Sequence, residues 1–166
     1  MTTGETLIVK RELLIAKVEI VSDRYAQTAS GKQSPIRTFE GLDVWKICRD
    51  LRRQIAEIVR TFPHEEKYRL ANQLIRASRS VTANLAEGYG RFHYAENVQF
   101  ARQARGSLYE VLDHLTVALD ERFLSHENFE TTREEVLKAT LVVNGFIRYL
   151  SKAKTSSHDS RLTNNE

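Results

Sequence analysis

The stretch SRSVTANLAEGYGR, residues 78–91, carries polar side chains at intervals that could build a small site. Ser80, Asn84 and Glu87 follow one another at steps of four and three residues. On a helix this spacing places all three side chains on one face. An amide, a hydroxyl and a carboxylate on one face could bind a polar ligand or act on it.

A second polar group follows later in the chain, at Gly106, Ser107 and Glu110. We expect Gly106 to allow a close backbone approach, and the other two to add polar atoms facing the first group. We call the set the polar seam: Ser80, Asn84, Glu87, Gly106, Ser107 and Glu110. The alternative to a site is that these groups satisfy one another and the free amides of the next helix start, and we favour this second interpretation.

Catalytic and metal-binding arrangements find little support in the sequence. A di-iron bundle needs Glu-x-x-His pairs, whereas Glu110 and His114 are four residues apart and no Glu-x-x-His occurs. The five histidines are scattered, and GYGR lacks both the Gly-Lys-Ser/Thr ending of a phosphate loop and a preceding strand. We therefore expect no catalytic residue, no metal and no cofactor, and do not expect an enzyme.

The arginines say more about function than the histidines and the polar seam do. No Asp or Glu lies between Lys67 and Glu87, although that interval contains several arginines. Guanidinium groups without nearby carboxylates suit phosphates, which they bind in a planar fork. The candidate nucleic-acid-binding residues are Arg49, Arg53, Arg76, Arg79, Arg91 and Arg105.

Charge is unevenly distributed along the chain. Residues 46–105 contain 12 Lys/Arg and 6 Asp/Glu, whereas residues 106–137 contain 2 and 8. A protein polarised in this way can present a basic surface to an anionic partner. It can equally use its acidic segment to neutralise the arginines, within the fold or across a subunit contact, and the sequence leaves both possibilities open.

Apolar residues recur at steps of three and four, which predicts helices with one buried stripe each. Few glycines and prolines interrupt them, which favours an all-α protein. Four stripes of similar length pack best as an antiparallel up-down-up-down four-helix bundle over residues 38–151. The predicted helices begin near Val44, Glu65, Ala95 and an N-cap at Ser125, and end near Phe62, Gly88 as a left-handed cap, Glu121 and Leu150.

The chain ends are predicted to lie outside the bundle. Residues 1–37 are interrupted by charges and close with a Ser/Gly/Pro-containing linker, so they form an appendage and no signal peptide or membrane span. Residues 152–166 are a polar tail that we expect to be disordered. The lone Cys48 excludes an internal disulfide and suits a reducing cytoplasm.

Three motifs occur in order between residues 39 and 150. They are FEGLDVWKICRDL, then TFPHEEKYRLANQLIRASRSVTANLAEGYGR, then FARQARGSLYE. In this order they resemble the bacterial four-helix bundle family described from proteins encoded in intervening sequences of large-subunit ribosomal RNA genes. The same family includes the accessory variability determinants of diversity-generating retroelements.

The resemblance implies a non-enzymatic protein that assembles as a homopentameric ring with a basic surface. It also implies nucleic acid, above all RNA, as a partner, and a reverse transcriptase as a further partner for the retroelement members. By motif position the polar seam matches family positions with structural or interface roles. The competing hypothesis is a structural or protein-interaction bundle that binds no nucleic acid.

Overall fold

A computed structural model describes residues 36–91 and 93–162. Within these residues the chain forms four α-helices and no strand. They are α1 (Asp43–Ile58), α2 (Leu70–Gly90), α3 (Tyr94–Asp120) and α4 (His126–Leu162). Residues 1–35 and 163–166, which hold most of the predicted appendage and the end of the predicted tail, lie outside the described part of the chain.

The predicted all-α four-helix bundle is confirmed, with consecutive helices antiparallel. Helix α2 packs most extensively on α3, α3 packs on α4, and α1 closes the bundle against α2 and α4. Side-chain pairs report the register: Arg52 of α1 donates to the Thr82 hydroxyl of α2 (2.9 Å), and Arg105 of α3 donates to the Asn144 amide oxygen of α4 (3.1 Å).

One continuous core lies between the four helices. The apolar stripes predicted from the sequence supply it, and its most completely buried large side chains include Ile55, Leu74, Leu85, Leu108 and Leu115. Burial of one such side chain stabilises the fold by about 1.5–3 kcal/mol relative to exposure. Because each helix hides only one stripe, its remaining faces are free to carry the polar groups.

Local chemistry sets the helix ends near Pro63. Helix α1 gives way to a 3-10 turn at Val59–Thr61, and Phe62 is extended (φ −71°, ψ 153°), as a residue before proline must be. A second 3-10 turn, His64–Tyr68, precedes α2. The Glu66 carboxylate then accepts the Leu70 amide of the first turn (3.3 Å), so the acidic group acts at the positive end of the helix.

The start of α4 confirms the Ser125 cap, because the Asn128 amide donates to the Ser125 hydroxyl (3.2 Å). Its end differs from the prediction. The helix continues beyond the predicted end at Leu150 to Leu162, while the disorder of residues 152–166 stays a prediction. The apolar stripe ends at Leu150, but residues 151–162 contain no glycine or proline that would stop a helix.

Gly88 does not serve as the predicted left-handed cap. Helix α2 runs through it to Gly90, and its backbone lacks the positive φ of that conformation. The glycine is instead needed because α3 lies against it. A Cβ at this position would meet the Asn97 side-chain oxygen at 2.8 Å and the Phe100 Cβ at 2.9 Å.

Replacing Gly88 with alanine should therefore force α2 and α3 apart. We expect Gly88→Ala to lower the free energy of unfolding by about 1–3 kcal/mol, the usual cost of overpacking. Urea unfolding followed by circular dichroism measures this. The matched control is Gly106→Ala, where a Cβ has no atom within 4 Å. That variant should gain up to about 1 kcal/mol because alanine is the better helix former, and equal effects at both sites would contradict the packing described here.

Candidate nucleic-acid interface

A groove of about 640 Å³ runs between α2 and α3 on the surface of the bundle. Its lining alternates basic, polar and small residues, and α2 supplies most of it at helical spacing. The lining residues are Gln73, Arg76, Ala77, Arg79, Ser80, Ala83, Glu110 and His114. The groove therefore brings two of the predicted phosphate-binding arginines together with two members of the polar seam.

Arg76 and Arg79 are both exposed. Across residues 36–91 and 93–162, neither guanidinium has an ion pair or hydrogen bond with another residue. The same holds for exposed Arg53 on α1. An exposed guanidinium without a carboxylate keeps its full charge and its fork of donors for an anion. The guanidinium groups of these three arginines are therefore available for contact with phosphate. Nucleic-acid binding by them stays a prediction.

The other three candidate arginines already have partners in the fold. Arg49 lies over the Trp45 ring (5.6 Å to the centroid) and 3.3 Å from the Asp50 carboxylate. Arg91 pairs with Glu87 (2.6 Å). These are exposed local pairs, which contribute little to stability and are weakened by salt, so they reduce the charge available to a ligand without abolishing it.

Arg105 differs because its partner comes from another helix. Its guanidinium donates to the Asn144 amide oxygen (3.1 Å) at the α3–α4 contact, where the side chain is half-buried. It therefore faces α4 and lies away from the groove of Arg76 and Arg79. The six candidate arginines do not form one surface.

Ser80 is the centre of the polar seam. Its hydroxyl accepts from the Asn84 amide (3.1 Å) and from the Ser107 hydroxyl across the helix contact (2.9 Å). Asn84 also donates to the Ser80 carbonyl (2.9 Å). The polar groups of Ser80, Asn84 and Ser107 thus form hydrogen bonds with one another, as the alternative to a ligand site predicts. They do not, however, cap the start of α3.

The remaining seam members lie apart. Glu87 pairs with Arg91, and Glu110 lies in the groove with its carboxylate 3.7 Å from the His114 imidazole. The expected close approach at Gly106 is wrong for the single chain, because a Cβ there would meet no atom within 4 Å. The glycine lies on the exposed face of α3, away from the neighbouring helix.

The groove lined by Arg76 and Arg79 is called the arginine groove. The sequence analysis did not assign Gln73, Ala77 and Ala83 to it, and treated His114 only as an isolated histidine. The spacing of the α2 residues could have indicated this groove. Positions 73, 76, 77, 80 and 83 follow steps of three and four along α2, so one edge of this helix lines the groove. His114 joins them only because α3 runs antiparallel beside α2.

Burial shifts the pKa values of two side chains in the described residues. Burial raises the pKa of the Cys48 thiol to about 12, so this thiol stays protonated at neutral pH and is a weak nucleophile. Burial likewise raises the pKa of Tyr149, with the charge of Tyr94 adding to the shift.

No three His, Cys, Asp or Glu side chains of the described ranges cluster as metal ligands. None of the helices described is long and apolar enough to span a bilayer.

Comparison with known proteins identifies relatives of this fold. The family model of the 23S rRNA-intervening sequence proteins matches residues 40–145. The bundle is also similar to a crystal structure of a protein of unknown function from the S23 ribosomal protein family of Bacteroides thetaiotaomicron. That similarity has a TM-score of 0.59 at 16% identity and covers 63% of this chain and 97% of the other. At this identity the likeness shows the fold alone. No curated protein matches the chain.

The hydrogen bonds of Ser80 give the polar seam a measurable stability. Asn84→Leu removes two donors without burying an unpaired charge, so we expect the free energy of unfolding to fall by about 1 kcal/mol. Thermal unfolding followed by circular dichroism measures the change. Asn72→Leu is the matched control, because Asn72 is an exposed asparagine of the same helix and should change stability by less than about 0.5 kcal/mol. Equal stability of the two variants would show that the seam bonds contribute nothing.

Proposed function

The chain belongs to the 23S rRNA-intervening sequence protein family, and on this premise we propose that it is a non-enzymatic accessory protein that binds RNA. The observation that carries the proposal is the pair Arg76 and Arg79, exposed on one groove of about 640 Å³ and without a carboxylate partner in the described part of the chain. Arg53 on α1 adds a third free guanidinium.

Arginines of this kind act on the phosphate backbone. A phosphate contact releases condensed counterions, so it contributes affinity that falls steeply with salt and carries no base sequence. The groove also holds the Gln73 amide and the His114 imidazole, which can donate hydrogen bonds to phosphate or sugar oxygens. Glu110 opposes an anion, and its carboxylate lies 3.7 Å from the His114 imidazole. The groove therefore suits backbone contact more than base recognition.

Two or three phosphate contacts per copy bind RNA weakly, and assembly would multiply them. We propose that copies of the chain form a ring, a homopentamer, so that their grooves hold one RNA at a high effective concentration. The resemblance to retroelement accessory proteins adds a reverse transcriptase as a further proposed partner. We place this activity in the cytoplasm.

The proposal is tested by reversing the charge of the groove. Arg76→Glu/Arg79→Glu should abolish tight RNA binding at low salt, because two attractive contacts become repulsive. In a milder variant, Arg76→Gln/Arg79→Gln, the slope of log affinity against log salt should fall by about one per arginine. Fluorescence anisotropy with a labelled structured RNA at several salt concentrations measures both.

The control replaces two arginines that already have local partners. Arg60→Gln/Arg69→Gln removes the same charge, but Arg60 pairs with Glu57 (2.7 Å) and Arg69 with Glu66 (3.5 Å). Its affinity and salt slope should stay close to those of the wild type. Equal RNA binding by the wild type and the charge-reversed groove variant would refute the proposal.

A structural bundle that binds other protein chains is the second candidate function. It is favoured by large apolar side chains left in solvent, Tyr68 at 75% and Tyr109 at 55% exposed. Opposite charges on residues 46–105 and 106–137 would further allow one copy to dock on another.

If arginine–carboxylate contacts between copies hold the assembly, Arg76→Glu/Arg79→Glu should also change its mass. Size-exclusion chromatography with light scattering would then show a smaller oligomer, because like charges would face each other across the contact. An unchanged oligomer with lost RNA binding would decide for the RNA function and against this candidate.

A further inference from the structure

A second groove with an exposed arginine lies on the other side of α3, where α3 packs against α4. It has a volume of about 340 Å³ and is lined by Ala95, Val98, Arg102, Ser151 and Thr155. We propose that this groove is a second phosphate-binding surface for the RNA held at Arg76 and Arg79. The inference rests on the proposed function, since it names a further contact of the same ligand.

Helix periodicity brings further basic residues of both helices near this groove. On α3, Arg102 lines the groove and Arg105 follows one turn later on the same edge, which faces α4 through Asn144 (3.1 Å). On α4, Arg148 lies one turn after Asn144 and one turn before Ser151. Residues at steps of three and four share a helix edge, so Arg148 lies on the same edge of α4 as the lining residue Ser151.

Carboxylates are few in the sequence around this surface: Glu96 follows the lining residue Ala95, and Asp159 lies four residues after Thr155. Residues 97–109 contain Arg102 and Arg105 but no Asp or Glu, and residues 136–158 contain only basic charges. Arg102 and Arg148 are both exposed. Neither has an ion pair or hydrogen bond within residues 36–91 and 93–162. Their charge is therefore available to an anion, as it is for Arg76 and Arg79.

The guanidinium groups are the donors that this groove offers. The Ser151 and Thr155 hydroxyls donate to carbonyls of their own helix, those of Ile147 (2.8 Å) and Ser151 (3.2 Å). Arg105 is engaged by the neutral Asn144, so it adds positive potential without a counter-charge. An acidic peptide could meet such a surface, but the repeated, evenly charged phosphates of a nucleic acid match arginines that are spread over two helices.

The two grooves flank the exposed ridge of α3, and Gly106 lies on that ridge between them. Arg102 lines one groove and Glu110 the other, at levels about 12 Å apart along the axis. The packing of the fold does not require a glycine here, because a Cβ would have open space around it. The glycine lowers the stability of the helix relative to alanine, as any glycine within an exposed helix does. The missing side chain would let a ligand approach the backbone of α3 closely. We therefore infer that one RNA strand passes from groove to groove over Gly106.

The first test compares salt dependence among charge-neutralised variants. Arg102→Gln/Arg148→Gln should lower the slope of log affinity against log salt by about one per arginine, with the oligomer mass unchanged in light scattering. The control is again Arg60→Gln/Arg69→Gln, which removes equal charge from arginines that have local partners and should leave the slope unchanged. The probe is the labelled structured RNA used for the α2 groove.

The outcomes separate this inference from the proposed function. RNA binding that depends on Arg76 and Arg79 but is indifferent to Arg102 and Arg148 overturns the second surface and leaves the proposed function standing. A changed oligomer mass in the Arg102/Arg148 variant assigns the surface to a subunit contact, which also overturns the inference. Failure of the wild type to bind RNA overturns both.

The crossing at Gly106 has its own test. Gly106→Leu introduces a side chain into open space and a good helix former into α3, so the melting temperature should not fall. RNA affinity should nevertheless fall severalfold, because the leucine raises the ridge under the strand. Wild-type affinity would exclude the crossing, and a changed oligomer mass would assign Gly106 to a contact between copies instead.

Discussion

Helices α2 and α3 approach closely at two places, and the groove lined by Arg76 and Arg79 depends on that approach. At one place Gly88 has no side chain and α3 presents Asn97 and Phe100 to its backbone. At the other, the Ser80 and Ser107 hydroxyls meet at 2.9 Å. Larger side chains at these positions would separate the two helices, because packed interiors have no free volume to absorb them.

The same approach creates the arginine groove. Towards the start of α2, the groove extends between Gln73 on one helix and His114 on the other. Arg76 and Arg79 line it from α2. The apolar stripe behind them fixes the helix orientation, so the arginines are held towards solvent by the burial of Leu74, Ala77 and Val81. Hydrophobic burial thus positions the charges that we propose as functional.

Local spacing explains which arginines have partners. A glutamate three or four residues earlier neutralises Arg60, Arg69 and Arg91 within their own segments. Arg76 and Arg79 have no such neighbour, since residues 68–86 contain no Asp or Glu. The acidic segment 106–137, which could have neutralised them through the fold, brings only Glu110 to the lining of their groove. The charge asymmetry of the chain therefore survives folding at this surface.

Helix α3 separates the two basic grooves, and this arrangement gives the proposed RNA contact its geometry. The first groove is lined by two exposed arginines of α2 and the second by Arg102 of α3, a small number for a tight complex. Repetition in a ring of copies would raise the total by avidity. The exposed glycine between the grooves is the feature that links them, because the fold itself gains no packing from its missing side chain.

The sequence by itself determined the four helices, their antiparallel order and the absence of local partners for Arg76 and Arg79. These properties follow from periodicity and from charges that are near in the chain, which act over one or two turns. The Ser125 cap was readable for the same reason.

Only the tertiary structure decided which polar groups meet. It gave Gly88 a packing role in place of a cap, left Gly106 in solvent and joined Arg105 to Asn144. It also placed Arg102 beside Ser151 and Thr155 of α4. Residues on different helices are brought together by the register of packed cores, and that register depends on every buried side chain at once. No short stretch of the sequence therefore contains it.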